Sequence, residues 1–292
     1  MTEEEYKAEW KLGFHQTEYN NCRFADDKVQ YLKDWFIKEG LFKPQVNDFC
    51  TNFIANAICK NKLRIAEDPK YRYICRTWTD KIAVYELLQR MNMGNIAIPL
   101  IHSSHDRLTQ TNIMRYCGTT PAIIKCNHGS GWNVIRKPFQ STAVTTSKIN
   151  EWLKLNYAYI CGYEAQYEDI QPGYIIQPLL HEQPIDYGFW CKDKKILAVS
   201  MTKKLGKNLE EYLSFTDVDG NALDWYVGMQ PEMGNLPSKF KTNISMMLPY
   251  VQDIANLFDF VRVDMYCING KVYFGEATCT PCGGKVVVTY KH

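Results

Sequence analysis

Two acidic residues lie inside two apolar runs near the carboxyl end of the sequence. Within FVRVDMYCINGKVYFGEATCTP (260–281), Asp264 belongs to the first run and Glu276 to the second, and Asn269-Gly270 separates the runs. Asn-Gly between apolar runs is typical of a β-hairpin turn. Carboxylate oxygens are ligands that Mg²⁺ prefers, so a hairpin that brings both acids together would bind a divalent cation.

The pairing of the two predicted strands decides whether the acids face each other. A strict two-residue turn would place Asp264 opposite Gly275 and send Glu276 to the other face of the hairpin. A bulge at Gly275, or a three-residue loop, would instead place Asp264 opposite Glu276 and Arg262 opposite Thr278. We predict this irregularity, because it gathers the polar side chains on one surface. The alternative is an ordinary hairpin whose polar face meets water.

A second segment, IIKCNHGSGW, has residues that suit a phosphate group. Lys125 stands at the end of a short apolar strand, and Gly129 and Gly131 in the following loop let backbone N–H groups approach an anion closely. The segment lacks the GxxxxGK[ST] and GxGxxG patterns, so a plain turn is the alternative. A triphosphate would be repelled by Asp264 and Glu276 unless cations lie between them. The two segments together predict a site for a nucleotide and Mg²⁺.

The composition is that of a globular protein that can bury a sizeable core. The chain has 292 residues, of which 46% are hydrophobic, and its 34 Lys and Arg nearly balance its 32 Asp and Glu. This balance indicates neither a nucleic-acid partner nor an acidic membrane surface. No apolar stretch is long enough to span a bilayer, and the start MTEEEYKAEWKLG is unlike a signal peptide, so we expect a cytoplasmic protein.

The cysteines indicate a reducing compartment rather than a disulfide framework. There are eleven, an odd number without a disulfide-like spacing. Cys279 and Cys282 form a single CxxC, for which we expect neither a zinc nor a redox role.

The hydrophobic periodicities predict a mixed α and β chain without repeats. In chain order they predict helices within 26–42 and 47–63, a helix capped by Thr79 and ending near Gly94, a strand at 122–127, a helix around 147–156, strands between 173 and 201 with a turn at 192–195, and a helix at 248–258 that leads into the hairpin.

Four stretches resemble, in type and order, the ATP-grasp ligases, and more closely the TupA-like branch typified by teichuronopeptide-biosynthesis proteins. They are TDKIAVYELL, PAIIKCNHGSGWNVI, YIIQPLLHEQPIDYGFW and FVRVDMYCINGKVYFGEATCTPCGG, which together span 79–284. The resemblance implies an α+β ATP-grasp fold, in which two α+β lobes clamp a nucleotide. The expected division is a mainly helical region at 1–78, a lobe with the glycine-rich loop at 79–184, and a lobe with the metal-binding hairpin at 185–292.

The resemblance also implies roles for the residues of the hairpin and the loop. Asp264, Glu276 and Thr278 would hold Mg²⁺, with Glu276 bridging two ions. Arg262 would stabilise oxygen charge during transfer, and Lys125 would contact phosphate. The full set of residues expected to bind ATP is Lys81, Lys125, His128, Gly129, Ser130, Gly131, Gln177, Pro178, Leu179, Leu180, Asp186, Lys203 and Lys204.

Several members of this set have plain structural alternatives. Lys81 would be an ordinary solvated lysine in the first turn of a helix, and His128 a polar loop residue. Asp186, the candidate for the ribose hydroxyls, would merely begin a strand. Lys203 or Lys204 would reach the γ-phosphate only if its side chain points toward the nucleotide.

Three positions depart from the pattern of the family. Gln177 stands where Glu is usual, Gly188 replaces a lysine, and Thr278 replaces an amide. The loss of a lysine removes a phosphate contact, and a hydroxyl is a weaker metal ligand than an amide carbonyl.

The predicted function is that of an ATP-dependent carboxylate-amine ligase that acts in cell-surface polysaccharide biosynthesis. The acid would be a small molecule or a saccharide, such as a uronic acid or an amino acid, and an amine would attack its acyl phosphate to give an amide. One alternative is a small-molecule or sugar kinase on the same scaffold. Another is a catalytically silent nucleotide- or saccharide-binding module. The sequence leaves the oligomeric state open.

Overall fold

A computed structural model describes residues 16–43, 48–49, 53–181, 184–206, 209–227, 236–237, 239–285 and 288–290. The α-helices in these residues are α1 (Gln16–Arg23), α2 (Lys28–Lys38), α3 (Phe53–Glu67), α4 (Pro69–Thr79), α5 (Ala83–Arg90), α6 (Gln110–Tyr116), α7 (Thr142–Trp152) and α8 (Phe240–Ala255). The strands are β1 (Phe42–Lys43), β2 (Asp48–Phe49), β3 (His102–Ser104), β4 (Ala122–Cys126), β5 (Asn133–Arg136), β6 (Tyr174–Pro178), β7 (Ile185–Lys192), β8 (Lys195–Gly206), β9 (Leu209–Thr216), β10 (Trp225–Val227), β11 (Phe260–Ile268), β12 (Lys271–Thr278) and β13 (Val288–Tyr290). Short 3₁₀ turns occupy Gly94–Ile96, Tyr157–Tyr159, Ala165–Tyr167 and Pro281–Gly284.

Two antiparallel sheets form the framework. The smaller has four strands in the order β3-β6-β4-β5, and the larger has five in the order β12-β11-β7-β8-β9. Two further pairs, β1-β2 and β10-β13, are two-stranded. Helices and antiparallel sheets together make the α+β class that the sequence predicts.

The four-stranded sheet buries one face against α6 and α7. Ile124 on β4 and Ile176 on β6 are fully buried together with Ile149 of α7 and Ile113 of α6. Alternation along β4 leaves Lys125 on the opposite face, where the sheet meets the cleft.

The five-stranded sheet shares a core with the amino-terminal helices and with α8. Val261 and Val263 of β11 are fully buried in this core, together with Ile254 of α8 and Trp78 of α4. Trp78 packs edge to face on Phe274 of β12, with the ring centroids 5.7 Å apart. The amino-terminal helices therefore support the back of the strand that carries Glu276.

The first turn of α5 differs from the sequence prediction. Thr79 does not cap this helix but is the last residue of α4. The carboxylate of Asp80 performs the capping role, because its Oδ1 accepts hydrogen bonds from the backbone N–H groups of Ile82 and Ala83 at 2.8 and 3.3 Å. Asp and Thr both favour caps, so the sequence alone could not decide between adjacent candidates.

Other helix limits also differ from the predictions. The second amino-terminal helix was predicted from residue 47, but it begins at Phe53, and Asp48–Phe49 is a strand. Helix α5 ends at Arg90, before Gly94, and α7 covers Thr142–Trp152 rather than 147–156. Helix α8 covers Phe240–Ala255 rather than 248–258, and it includes Pro249.

The turn predicted between β7 and β8 is present. Asp193 and Lys194 occupy it with φ angles of 49° and 65°. Positive φ at both central residues is the geometry of a tight antiparallel hairpin.

Among the helices that the structure describes, none combines the length and the apolar composition needed to cross a bilayer.

Candidate active site

The β11-β12 hairpin has the register that the sequence predicts. Arg262 pairs with Thr278 and Asp264 with Glu276, while Met265 pairs with Phe274. Gly275 is therefore the extra residue of a bulge, and both acids face the same side. The prediction of a bulge at Gly275 is confirmed.

The bulge requires glycine at position 275. A Cβ atom there would lie 2.8 Å from the carbonyl oxygen of Asp264 and 2.7 Å from the ring of Tyr266. Real Cβ atoms essentially never approach backbone so closely, so any larger residue would shift the strands. The register of the two acids thus depends on a residue that bears no functional group.

Arg262 lies against both acids. Its Nε and Nη2 atoms donate hydrogen bonds of 2.7 and 2.6 Å to the two carboxylate oxygens of Asp264, which is only 3% exposed. Its Nη2 is also 4.0 Å from Oε1 of Glu276. Bidentate pairing of this kind holds a guanidinium in a fixed orientation, directed here at the cleft.

Glu276 is surrounded by positive charge. Burial alone would raise its pKa, but Lys81, Arg262 and Lys125 together hold the pKa below its ordinary value. Thr278 Oγ1 donates a hydrogen bond of 3.3 Å to Oε1 of Glu276. Glu276 is therefore ionised at neutral pH and ready to bind a cation.

The donor set on the hairpin fits Mg²⁺. Asp264, Glu276 and Thr278 offer hard oxygen atoms from adjacent strands, and all three line one cavity. In the described part of the chain, no group of three or more His, Cys, Asp or Glu residues has metal-binding geometry. An ion held on this hairpin would therefore take its other ligands from water and phosphate, which is the usual habit of Mg²⁺.

The glycine loop and two lysines face the hairpin. Lys81 Nζ donates a hydrogen bond of 2.8 Å to the carbonyl of Gly129, and Lys125 on β4 lies close enough to lower the pKa of Glu276. Gly131 has a φ of 70°, a conformation that favours glycine. Lys81 is therefore a part-buried residue of the cleft, and its contact with ATP stays a prediction.

A cavity of about 660 Å³ lies between the two sheets. Among the predicted site residues whose side chains the structure describes, all except His128 line it; these are Lys81, Lys125, Gly129, Ser130, Gly131, Gln177, Pro178, Leu179, Leu180, Asp186, Arg262, Asp264, Glu276 and Thr278. The backbones of Lys203 and Lys204 belong to β8, but their side chains lie outside the described residues.

The run from Gln177 to Leu180, which was predicted to bind ATP, lines the cavity at the end of β6. Gln177 Nε2 lies 2.6 Å from the hydroxyl of Tyr85, and the backbone N–H of Leu179 donates to the carbonyl of Pro121 at 3.1 Å. Asp186 pairs with Tyr266 across β7 and β11, and the Tyr266 hydroxyl donates to its Oδ2 at 3.3 Å.

His128 is turned away from the cavity. Its Nε2 is 3.2 Å from the carbonyl oxygen of Trp152, and its ring packs edge to face on Trp132. Burial lowers its pKa to about 4, so the ring is neutral at pH 7. A neutral, inward-facing ring supports the glycine loop from behind and offers no positive charge to a phosphate.

The structure explains why glycine, rather than a residue with a side chain, stands at position 188. A Cβ atom there would lie 2.7 Å from Ser200 Oγ, 3.1 Å from Asp264 Oδ1 and 3.3 Å from Arg262 Cδ. Ser200 Oγ is itself held by a hydrogen bond of 2.9 Å from Trp190 Nε1. The missing side chain therefore leaves room for the Arg262–Asp264 pair.

The cavity also has lining residues to which the sequence analysis assigned no function. They are Tyr157, Ile160, Cys161, Glu164, Tyr167, Thr280, Cys282 and Gly283. Tyr157 connects this group to the glycine loop, because its hydroxyl is hydrogen-bonded to Ser130. An acid within the aromatic segment YAYICGYEAQYEDI was the only available signal in the sequence.

Two antiparallel sheets facing each other across a cleft, one with a basic glycine loop and the other with paired carboxylates, define the ATP-grasp class. The chain belongs to the TupA-like ATP-grasp family, whose sequence model matches residues 60–291. The resemblance found in the sequence is thereby confirmed. No curated protein sequence gave a significant match to the chain.

Solved structures of ATP-grasp proteins are similar to the chain at low identity. A D-alanine--D-alanine ligase from Bacillus anthracis complexed with ATP is 15% identical, with a TM-score of 0.42 over 70% of this chain and 55% of that one. The ATP-grasp ligase PsnB with its minimal precursor, Mg and ADP is 10% identical, with a TM-score of 0.35 over 69% and 50%. An N5-carboxyaminoimidazole synthase from Aspergillus clavatus with ADP and its ribonucleotide is 11% identical, with a TM-score of 0.39 over 70% and 44%. The chain spans about half the length of these structures.

Proposed function

We propose that the protein is an ATP-dependent ligase that joins a carboxylate to an amine through an acyl phosphate. The observation that carries the proposal is the pairing of Asp264 with Glu276 on one hairpin, in the same cavity as Lys81, Lys125 and the glycine loop. Family membership supports the same conclusion.

Each part of the cavity has a role in this chemistry. Lys81, Lys125 and the loop amides would bind the phosphates of ATP, and Arg262 would stabilise the charge that develops on the transferred group. Asp264, Glu276 and Thr278 would hold Mg²⁺. When bound, the metal supplies charge neutralisation for the phosphates.

The proposed reaction has two steps. An oxygen of the substrate carboxylate attacks the γ-phosphorus, and ADP leaves. The amine nitrogen then attacks the acyl carbon, and inorganic phosphate leaves. Enclosure between the two sheets would exclude the water that hydrolyses an acyl phosphate.

We further propose that the acid is a uronic acid or an amino acid used in cell-surface polysaccharide biosynthesis. The resemblance to teichuronopeptide-biosynthesis proteins supports this role. We propose that the reaction occurs in the cytoplasm, where ATP and a reducing environment are available; the described cysteines, which are all free thiols, support this.

The test supplies ATP, Mg²⁺ and hydroxylamine together with a panel of uronic and amino acids. Hydroxylamine traps an acyl phosphate as a hydroxamate, so the proposal predicts acid-dependent hydroxamate and equal amounts of phosphate. Asp264→Asn and Glu276→Gln should each reduce this activity by at least about 100-fold. Glu86→Gln, which alters an exposed acid on α5 outside the cavity, serves as the control.

Two results would contradict the proposal. A stable phosphorylated product that forms without hydroxamate would indicate a kinase. ATP consumption at the same background rate in the wild type, Asp264→Asn and Glu276→Gln would indicate a catalytically silent binding module.

A further inference from the structure

The cavity contains a further acid, Glu164, which is distant from the hairpin in sequence and has no part in the proposed nucleotide site. Glu164 lines the cavity but is only 3% exposed. Thr280 Oγ1 donates a hydrogen bond of 2.5 Å to its Oε1, and Gln166 Nε2 lies 3.5 Å from the same oxygen. In the described part of the chain, both contacts hold this one oxygen and fix the orientation of the carboxylate.

The nearest buried cation does not pair directly with Glu164. Lys62 of α3 is fully buried, and its Nζ donates to the carbonyl oxygens of Cys161 at 2.5 Å and Gly283 at 2.6 Å. Within the described residues, no ion pair of 4.0 Å or less joins Lys62 to Glu164. Lys62 therefore fixes the two backbone segments beside Glu164 and offsets its charge from a distance, without occupying the carboxylate.

The residues that line the cavity near Glu164 include two tyrosines. The rings of Tyr157 and Tyr167 pack at an angle of 53° with their centroids 4.7 Å apart, and the charges of Glu164 and Glu276 both raise the pKa of each hydroxyl. Aromatic faces beside a buried carboxylate favour a cation. The same surroundings disfavour a second anion, because Glu164 would repel it.

The two substrates of the proposed ligase carry opposite charges. The acid is an anion and suits the cationic groups of Arg262, Lys81 and Lys125. The amine is an ammonium ion at neutral pH and must lose a proton before its nitrogen can attack. The Glu164 carboxylate in the same cavity supplies both an ion-pair partner and a proton acceptor.

We propose that Glu164 binds the ammonium group of the amine substrate and accepts the proton that the nitrogen loses before it attacks the acyl phosphate. This assignment rests on the proposed ligase function. The Glu164 carboxylate becomes a carboxylic acid, and the freed electron pair of nitrogen forms the N–C bond. The bond from the acyl carbon to the phosphate oxygen breaks, and phosphate leaves with that electron pair. The second proton on nitrogen is lost to phosphate, and Glu164 returns its proton to water.

The surroundings of Glu164 suit a proton acceptor. Burial raises its pKa above the ordinary value, while the charge of Lys62 opposes the rise. A raised pKa makes a carboxylate a better base toward an ammonium ion than an exposed glutamate would be. Amide formation should therefore decline as the pH falls through this raised pKa.

The first test is a binding experiment that does not depend on turnover. Crystals of the full chain are soaked with ethylamine hydrochloride, for the wild type, Glu164→Gln and the control Glu168→Gln. Glu168 lies in the same segment, but it bonds Tyr159 and pairs with Lys28 outside this cavity. We expect the nitrogen within hydrogen-bond distance of Glu164 in the wild type and the control, and its loss in Glu164→Gln. The proposal would be overturned if no ethylamine nitrogen lies beside Glu164 in the wild type, or if ethylamine occupies this position equally in Glu164→Gln.

The second test separates proton removal from a structural role. Hydroxylamine is uncharged at neutral pH, so its attack does not require Glu164. The assay uses an acid that gives hydroxamate with the wild type. With this acid and ethylamine, Glu164→Gln should form the amide about 100-fold or more slowly than the wild type and should have a higher KM for ethylamine. Its hydroxamate formation should stay within about threefold of the wild type, and Glu168→Gln should change neither product. Equal losses of amide and hydroxamate would show that Glu164 only supports the fold.

Failure of the ligase proposal has a different signature. No hydroxamate from the wild type with any acid would reject the ligase, whereas the soaked crystals would still decide whether Glu164 binds an amine.

Discussion

Burial lowers the pKa of one loop residue, His128. The folded chain holds its pKa at about 4 because the ring is buried, against an ordinary value of 6.5. Between these values the unfolded chain binds a proton that the folded chain does not. Stability should therefore fall as the pH drops from 6.5 to 4, by about 3 kcal/mol in total.

This pH dependence can be removed by substitution. His128→Asn should lose most of the difference in unfolding free energy between pH 7 and pH 4.5, measured by urea unfolding. His105→Asn alters an exposed ring and should retain the difference. A His128→Asn protein with the full wild-type pH dependence would contradict the account of this residue.

Thr278 gives a prediction about metal affinity. Its hydroxyl lies beside Glu276, where the family commonly has an amide. Because an amide carbonyl is the stronger Mg²⁺ ligand, Thr278→Asn should lower the Mg²⁺ concentration needed for half-maximal ATP consumption, and Thr278→Val should raise it. The shift is expected to be about 10-fold in each direction. The same Mg²⁺ requirement in all three proteins would exclude Thr278 from the metal site.

The β11-β12 hairpin is an element whose function depends on its backbone. A methyl group at position 275 would collide with the backbone of Asp264, so Gly275→Ala should destabilise the protein by about 1–3 kcal/mol and reduce ATP-dependent activity. Gly270 has a φ of 77° with no atom near its Cβ position, so Gly270→Asn tests the same hairpin at a tolerant site. Urea unfolding and ATP consumption measure both effects. Equal behaviour of the two variants would contradict the assigned bulge.

Local signals made the hairpin predictable from the sequence. Asn269-Gly270 fixed the turn, and the alternation around Arg262 and Asp264 fixed the polar face. The position of the bulge followed from requiring Asp264 and Glu276 to share that face. The helix limits were less predictable, because Thr79 and Asp80 are adjacent and equally plausible caps.

The role of Glu164 could not have been predicted from its neighbours in sequence. Its surroundings are assembled from Lys62 of α3 and from Thr280 and Gly283, which lie after the hairpin. His128 illustrates the same limit, since a loop histidine can turn inward or outward and only packing on Trp132 and Trp152 decides. Long-range packing of this kind leaves no local pattern.

The amino-terminal helices and the larger sheet form one core at the scale of the whole molecule. The division into 1–78, 79–184 and 185–292 remains a prediction. Trp78 nevertheless belongs to the region 1–78 and packs on Phe258 and Phe274, which belong to the region 185–292. We therefore expect the sheet that carries the hairpin to depend on Trp78 for its stability.

Trp78→Ala tests this dependence. Loss of its buried ring should cost about 3–5 kcal/mol in the free energy of unfolding and weaken ATP binding. Tyr73→Ala, on the exposed face of the same helix, should cost no more than about 0.5 kcal/mol. Urea unfolding followed by fluorescence and circular dichroism provides the comparison. Similar stability of the two variants would show that the helices contribute little to this lobe.

The central claim is that Asp264 and Glu276 hold a divalent cation against the phosphates of ATP. Isothermal titration of the wild type and Glu276→Gln with a non-hydrolysable ATP analogue, with and without Mg²⁺, tests it most directly. We predict that Mg²⁺ strengthens binding to the wild type by at least about 10-fold and has little effect on a folded Glu276→Gln protein. The same Mg²⁺-dependent gain in both proteins would contradict the claim.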